Sequence, residues 1–235
     1  MRIAFMIGSL AGGGAERVVS ELATEMSMQG HDVAVIVVSS SNKKYYIPDN
    51  VRFINCAKSY KIRGLGYFNR IADIRKELKN FDPDVCISFN TNVNFYAIWA
   101  CIGCKFQLIL SERNDPKLYP VDKPSRFLRK LLYSGKYRYV FQTEEIKNYF
   151  SESIKNNSCI IFNPLNPDLP EPHCEERSKR IVTAVRLEPQ KNLKMAIDAF
   201  CNSVAAEQGF IFQIYGEGNL RAELTEYIYR KNLKD

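Results

Sequence analysis

The sequence predicts an α/β fold with mostly parallel sheets, divided into two unequal parts. Three observations carry that prediction. Short apolar runs of buried-strand length alternate with stretches whose apolar residues recur at helical spacing, the order expected of parallel strands joined by helices. The first such switch of period falls across Gly12-Gly13-Gly14, where backbone without Cβ atoms can bend closely. Residues 163–172 hold four prolines and no periodicity, the composition of a linker. The expected division is a first domain over 1–163, a linker over 164–179, and part of a second domain over 180–235.

In chain order, Arg2 to Ile7 reads as a strand, and Ala15, Val18, Val19, Leu22, Ala23 and Met26 mark one face of a helix. Gly30-His31-Asp32 turns the chain into the strand Val33 to Val38, and Val51 to Ile54 is a short strand. Tyr67, Ile71, Ile74 and Leu78 define an amphipathic helix with a largely cationic polar side, stopped at Phe81-Asp82-Pro83 because proline drives its predecessor out of the α region. Val85 to Phe89 is a buried strand, Asn90 to Asn94 its exit loop, and a helix through Tyr96 to Ile102 leads to the strand Phe106 to Leu110. A second basic helix carries Phe127, Leu128, Leu131 and Leu132 on one side, Tyr139 to Phe141 is a strand, Thr143 caps the next helix, and Cys159 to Phe162 closes the half. Beyond the linker come the strand Arg180 to Ala184, a helix through Leu193, Ile197, Phe200 and Val204, the strand Phe210 to Tyr215, the turn Gly216-Glu217-Gly218 and a helix through Leu220, Leu224 and Ile228. Two βα units are too few for the usual sheet.

The glycine loop has the makings of an anion site, because the helix after it offers unpaired N–H groups and a positive dipole end. It is not a P-loop. Gly8 and Gly13 have that spacing, but Gly14-Ala15 stands where Lys-Ser or Lys-Thr is needed. A dinucleotide site requires an acidic residue after the second strand, and here the strand ends in Ser39-Ser40-Ser41.

With 235 residues, 46% hydrophobic and 25% charged, the composition is that of a soluble globular protein. Neither a signal peptide nor an apolar run of spanning length is present, so a cytoplasmic protein is expected. Cys86, Cys101, Cys159 and Cys201, among seven cysteines, sit in apolar stretches and read as reduced core residues. Cys101 and Cys104 have metal or redox spacing, but without a second pair, and with only His31 and His173 as histidines, no metal is expected. The net charge of +7 is local. Lys58 to Lys79 holds seven basic residues against two acidic, and Lys123 to Arg138 six against none, so the remainder is net negative. That asymmetry points to an anionic surface or ligand; nucleic acid is not an expected partner.

Several motifs, in this order, resemble one family. Ile7 to Arg17 looks like its N-terminal glycine loop and Gly30-His31-Asp32-Val33 like its next turn. Ser111-Glu112-Arg113-Asn114-Asp115-Pro116 is similar to a subgroup acting on lipid-linked or capsular sugars. Arg186-Leu187-Glu188-Pro189-Gln190-Lys191-Asn192 resembles the donor-diphosphate motif, and Tyr215-Gly216-Glu217-Gly218 the nucleotide-side loop. The family is the GT-B glycosyltransferases of family 4, with two Rossmann-like domains binding a nucleotide-sugar in the cleft between them. The resemblance implies a Rossmann-like first domain and the first two βα units of a second. It implies a retaining transferase moving a hexose-type sugar from a nucleoside diphosphate, expected to be UDP, to a lipid-linked or polysaccharide acceptor in envelope or capsule assembly.

On that reading Arg186 and Lys191 are the catalytic cations, a bidentate fork and a point charge for the leaving diphosphate. Gly12, Gly13, Gly14, Gly216, Glu217 and Gly218 join them on the donor side. Glu112, Arg113, Asn114, Arg63, Arg70, Arg126 and Arg129 are assigned to the acceptor or sugar side, with no cofactor and no metal. The two basic segments are expected to dock on the anionic inner face of the cell membrane. The sequence also departs from the family. Val185 replaces a glycine, Arg113 or Asn114 stands where many members carry a histidine, and the chain stops at Asp235 before the family's paired glutamates. The isolated chain is therefore expected to lack turnover and to expose an unpaired sheet edge. A GT-B sugar-nucleotide epimerase and a non-catalytic acceptor- or membrane-binding module are the alternatives.

Overall fold

The computed structural model describes residues 1–40, 43–57, 65–165, 171, 178–231 and 233. The chain divides into two compact units, Met1–Pro167 and Asp168–Asp235.

The first unit runs β1 (Arg2–Ile7), α1 (Gly14–Met28), β2 (Asp32–Val37), β3 (Arg52–Asn55), α2 (Leu65–Phe81), β4 (Val85–Phe89), α3 (Thr91–Ala100) and β5 (Gln107–Ser111). It continues with α4 (Lys123–Leu132), β6 (Arg138–Phe141), α5 (Glu144–Asn148), α6 (Glu152–Lys155) and β7 (Ser158–Ile160). The strands form one seven-stranded sheet in the order β3-β2-β1-β4-β5-β6-β7, with every neighbouring pair parallel. This is a Rossmann-like sheet.

Its continuous apolar runs follow from burial on both faces. Ile3, Phe5 and Ile7 of β1 pack with Val33, Val35 and Val37 of β2 under Val18, Val19 and Ala23 of α1. Ala4 and Met6 point the other way, into a larger core with Ile74, Leu78, Phe95, Leu110, Tyr139 and Phe141. Helix α2 stops where the proline signal put it, with Asp82 at φ 50°, a left-handed exit before Pro83.

The second unit has β8 (Arg180–Ala184), a 3-10 turn (Pro189–Lys191), α7 (Leu193–Cys201), α8 (Val204–Glu207), β9 (Ile211–Tyr215) and α9 (Arg221–Arg230). Its two strands are parallel, as two βα units require. Leu187, Leu193, Ile197 and Leu224 form its core with Phe212 and Ile214, while Val182, Ile211 and Tyr215 leave the opposite face of the sheet exposed.

Two elements differ from expectation. The segment Asn90 to Asn94, expected as a loop, is the first turn of α3, because Thr91 and Asn94 turn inward and are buried. The helix expected through Val204 ends at Cys201. Ser203 donates to the Phe200 carbonyl at 2.6 Å and accepts from Ala206 N at 3.4 Å, so its hydroxyl competes with the backbone and starts a new helix.

Candidate active site

The strand order reverses direction between β1 and β4, and sheets of this kind keep their ligands beyond the carboxyl ends of the strands at that point. The glycine loop leaves β1 there. Gly12 has φ 116° and Gly13 is the N-cap of α1 without a side-chain cap. A Cβ on Gly13 would meet the Glu16 carboxylate, whereas one on Gly14 would meet nothing within 4 Å. The stem of Lys44 lies 3.4 Å from the position of a Gly12 Cβ. The sequence reading of the loop did not include this cation, which the Leu10–Lys43 bridge brings alongside the glycines.

The polar run after β5 splits into inward and outward parts. Glu112 is fully buried. Thr91 Oγ1 donates to its Oε2 at 2.8 Å, Asn94 Nδ2 donates to its Oε1 at 3.1 Å, and the Tyr133 hydroxyl donates to Oε1 in a short bond. Burial pushes the Glu112 carboxyl above the usual glutamate range, against the lowering pull of Tyr133, Thr91, Arg129 and Asn94. So enclosed, the carboxylate ties β5, α3 and the end of α4 together, an inward position that differs from the acceptor-facing one expected of it.

Arg113 takes the outward position. Its Nε donates to Ser111 Oγ at 2.8 Å and its Nη1 to Asn163 Oδ1 at 2.7 Å, with the guanidinium 4.7 Å above the Phe89 ring centroid. Burial pushes it down to about 10, still charged near neutrality. Nη2 is left without a protein partner among the described residues. Asn114 beside it is half-buried.

The basic helices are arranged differently from their sequence pattern. Arg129 is 3% exposed; its Nη1 donates to the Tyr119 carbonyl at 2.6 Å, and its Nη2 to the Pro116 carbonyl at 2.7 Å and the Tyr149 hydroxyl at 3.0 Å. Arg126 donates to the Pro120 carbonyl at 2.6 Å and the Leu118 carbonyl at 3.1 Å. Both arginines hold the 116–120 loop against α4, so Arg129 is no docking cation. Arg70 sits 5.8 Å from the Tyr96 ring centroid and donates to its hydroxyl at 3.4 Å, binding α2 to α3. Arg63 lies outside the described residues.

In the second unit Arg186 and Lys191 are exposed, and neither side chain has a hydrogen-bond or ion-pair partner among the described residues. They flank the turn between β8 and α7, whose entry is Asn192 at φ 45°. The backbone on either side of Arg186 is held from the β9 side: Val185 N donates to the Tyr215 carbonyl at 2.9 Å, Leu187 N to the Glu217 carbonyl at 2.9 Å and Leu220 N to the Leu187 carbonyl at 3.0 Å, while Lys191 N donates to the Glu188 carbonyl at 2.9 Å within its own turn. Gly216 and Gly218, at φ 156° and 159°, make this approach possible, since a Cβ on either would run into the backbone of Val185 or Leu187. The Glu217 side chain is paired with Arg221. The three residues of that turn thus act through the backbone beneath Arg186.

Among the described residues Cys86 lies fully buried beside Cys101, whose hydrogen bond, with burial, pushes the Cys86 thiol well up. Those residues hold no group of three or more His, Cys, Asp or Glu able to hold a metal ion.

Residues 12–169 match the model of Glycosyltransferase Family 4. The chain is 28% identical, over its whole length and 66% of the relative's, to a Campylobacter jejuni alpha-1,4-N-acetyl-D-galactosaminyltransferase named for a diNAcBac-PP-undecaprenol-linked glycan. It is 24% identical, over 95% of its length and 64% of the relative's, to the amylovoran biosynthesis glycosyltransferase AmsD of Erwinia amylovora. The chain spans about two thirds of the length of these curated relatives. Among solved structures, sucrose-phosphate synthase from Thermosynechococcus elongatus superposes with a TM-score of 0.76 at 12% identity, over all of this chain and 68% of that one, and shares its GT-B fold. Fold, motif order and family match agree, and the chain belongs to glycosyltransferase family 4.

Proposed function

We propose that this chain supplies the acceptor domain and the diphosphate-facing start of the donor domain of a retaining glycosyltransferase. The donor is a UDP-linked sugar; the acceptor is a lipid-linked or growing polysaccharide glycan, which the undecaprenol-linked glycan and the amylovoran in the relatives' names support. The observation that carries the reading is the pair Arg186 and Lys191, two exposed cations without side-chain partners among the described residues, on the turn that the close approach at Gly216 and Gly218 holds at Leu187. Cations held in place before the reaction stabilise charge that grows on a leaving group without reorganising.

In the proposed reaction the bond from the anomeric carbon to the diphosphate oxygen breaks, and a bond from that carbon to the acceptor oxygen forms on the same face. The acceptor's proton passes to the departing diphosphate. Arg186 and Lys191 neutralise the diphosphate and no metal is invoked. Arg113, with one nitrogen open at the carboxyl ends of β4 and β5, is placed to meet an anionic or hydroxyl-rich part of the sugar substrates. The proposed site of action is the inner face of the cell membrane, reached by peripheral binding; what supports it is the undecaprenol-linked glycan in a relative's name.

The test is transfer of labelled sugar from UDP-sugars to a polyprenyl-diphosphate-linked glycan by the full-length gene product. Labelled lipid that is lost in Arg186→Ala supports the reading. Hydrolysis or epimerisation of the donor with no labelled lipid contradicts it.

A further inference from the structure

The helical pattern of α4 assigns its apolar residues to the core and its cations to solvent. The structure reverses part of that. Leu128 and Leu132 pack inward, and the buried centre of that face is Arg129. Phe127 and Leu131, one turn apart, stand 70% and 67% exposed, with Lys123 and Lys130 exposed beside them. The loop before the helix repeats the pattern, because Leu118 and Val121 are 61% and 74% exposed.

These apolar side chains are not on a loose segment. The carbonyls of Pro116, Leu118, Tyr119 and Pro120 each accept a bond from Arg126 or Arg129. The Asp122 side chain caps α4 by accepting from Ser125 N at 2.8 Å, and that bond holds its carboxyl below the usual range. Four guanidinium–carbonyl bonds therefore hold two exposed leucine- and valine-sized groups in register with an exposed phenylalanine. Inside Phe127 lies a cavity of about 470 Å³, lined by Tyr149, Phe150 and Ile154 with Arg126 and Lys130. Single exposed apolar residues need no explanation, but a fixed group of four, with five basic residues against Asp122 alone between Lys117 and Leu131, marks an interaction surface.

We propose that the 118–131 face of α4 is the lipid-contacting surface of the first domain. Leu118, Val121, Phe127 and Leu131 enter the boundary between headgroups and acyl chains, and Lys123 and Lys130 meet lipid phosphates. The occupant is an anionic bilayer because the exposed Lys117, Lys123 and Lys130 flank the apolar groups, the one carboxylate among them, Asp122, is engaged as the helix cap, and the rest of α4 through Arg138 has no acidic residue, the pattern of an interfacial helix. This deepens the membrane part of the proposed function and rests on it. It also moves the docking role away from Arg126 and Arg129, which hold the surface in shape, and from α2, whose Arg70 and Arg75 are bonded to α3.

The test is co-sedimentation of the whole chain with phosphatidylglycerol-containing and with pure phosphatidylcholine vesicles, free of any glycan acceptor or nucleotide. The variants are Phe127→Ser with Leu131→Ser, and Phe68→Ser as a control equally exposed at 67% on α2. The wild type is expected to prefer the anionic vesicles, the double variant to bind roughly tenfold or more weakly, and the control to bind as wild type. If the wild type binds and the double variant binds equally well, the membrane reading stands and the α4 face falls. If the wild type ignores anionic vesicles, both fall. Self-association that the double variant abolishes, without vesicle binding, overturns the proposal by showing a second copy as the occupant.

Discussion

Gly218→Ala is the substitution that most sharply examines how Arg186 is held. At φ 159° alanine is strained, and its Cβ would stand 2.7 Å from the Leu187 carbonyl carbon and 2.8 Å from the Leu187 nitrogen. These are backbone atoms and cannot swing aside. To make room, the loop after β9 must separate from the exit of β8, losing the 2.9 Å bond from Leu187 N to the Glu217 carbonyl and straining the 3.0 Å bond from Leu220 N. Strained backbone costs about 1–3 kcal/mol and a lost hydrogen bond about 0.5–1.5 kcal/mol, giving roughly 2–4 kcal/mol. At a urea slope of about 2 kcal/mol per molar, the midpoint of the transition that reports on the second unit should fall by about 1–2 M. Amide exchange at Leu187 and Leu220 should accelerate with it. The contrast is Gly14→Ala, where nothing lies within 4 Å of the new Cβ and reduced unfolded-state entropy favours stabilisation by about 0.4–1 kcal/mol. A Gly218→Ala chain with wild-type midpoint and exchange would refute the close backbone approach, and with it the account of why the turn carries two glycines.

Glu112→Gln should change the pH dependence of stability. The folded-state pKa of Glu112 is raised by burial, so its contribution is fully present below the ordinary glutamate pKa and is lost as pH rises through the raised value. The variant should therefore gain on the wild type in denaturation midpoint as pH climbs out of the acid range; a pH-independent difference would count against the buried carboxylate. Arg129→Ala should cost about 2–4 kcal/mol, because the carbonyls of Pro116 and Tyr119 lose their donor in a buried site. Lys130→Ala on the exposed face should stay within about 0.5 kcal/mol. Equal urea midpoints for the two would show that Arg129 is not structural.

Periodicity reads strands well in this chain because a parallel sheet covered on both faces makes each strand a continuous apolar run, as in β1, β2 and β4. It reads the site poorly for a related reason. Glu112 sits in a polar run that looks like a solvent-facing loop, and only the burial of Thr91, Asn94 and Tyr133, brought in from α3 and α4, turns it inward. Arg129 is hidden the same way: one turn of helical spacing cannot distinguish a cation in water from a guanidinium bonded to three partners of a neighbouring loop and helix. Asn202-Ser203 broke an expected helix through a hydroxyl–backbone competition that apolar spacing does not register. The Arg186 and Gly216 motifs were legible as a set of residues, but the reason for the glycines, a backbone-to-backbone contact between β8 and β9, belongs to the pairing of the strands.

The central claim is that Arg186 and Lys191 grip a nucleoside diphosphate, and titration calorimetry of UDP against the wild-type full-length protein, Arg186→Ala and Lys191→Ala measures it most directly. Each charge-assisted contact is worth about 1.5–3 kcal/mol, so each variant should bind UDP about one to two decades more weakly at low salt while keeping the wild-type denaturation midpoint, since both side chains are exposed and have no ion-pair partner among the described residues. UDP affinity unchanged in both variants would contradict the account.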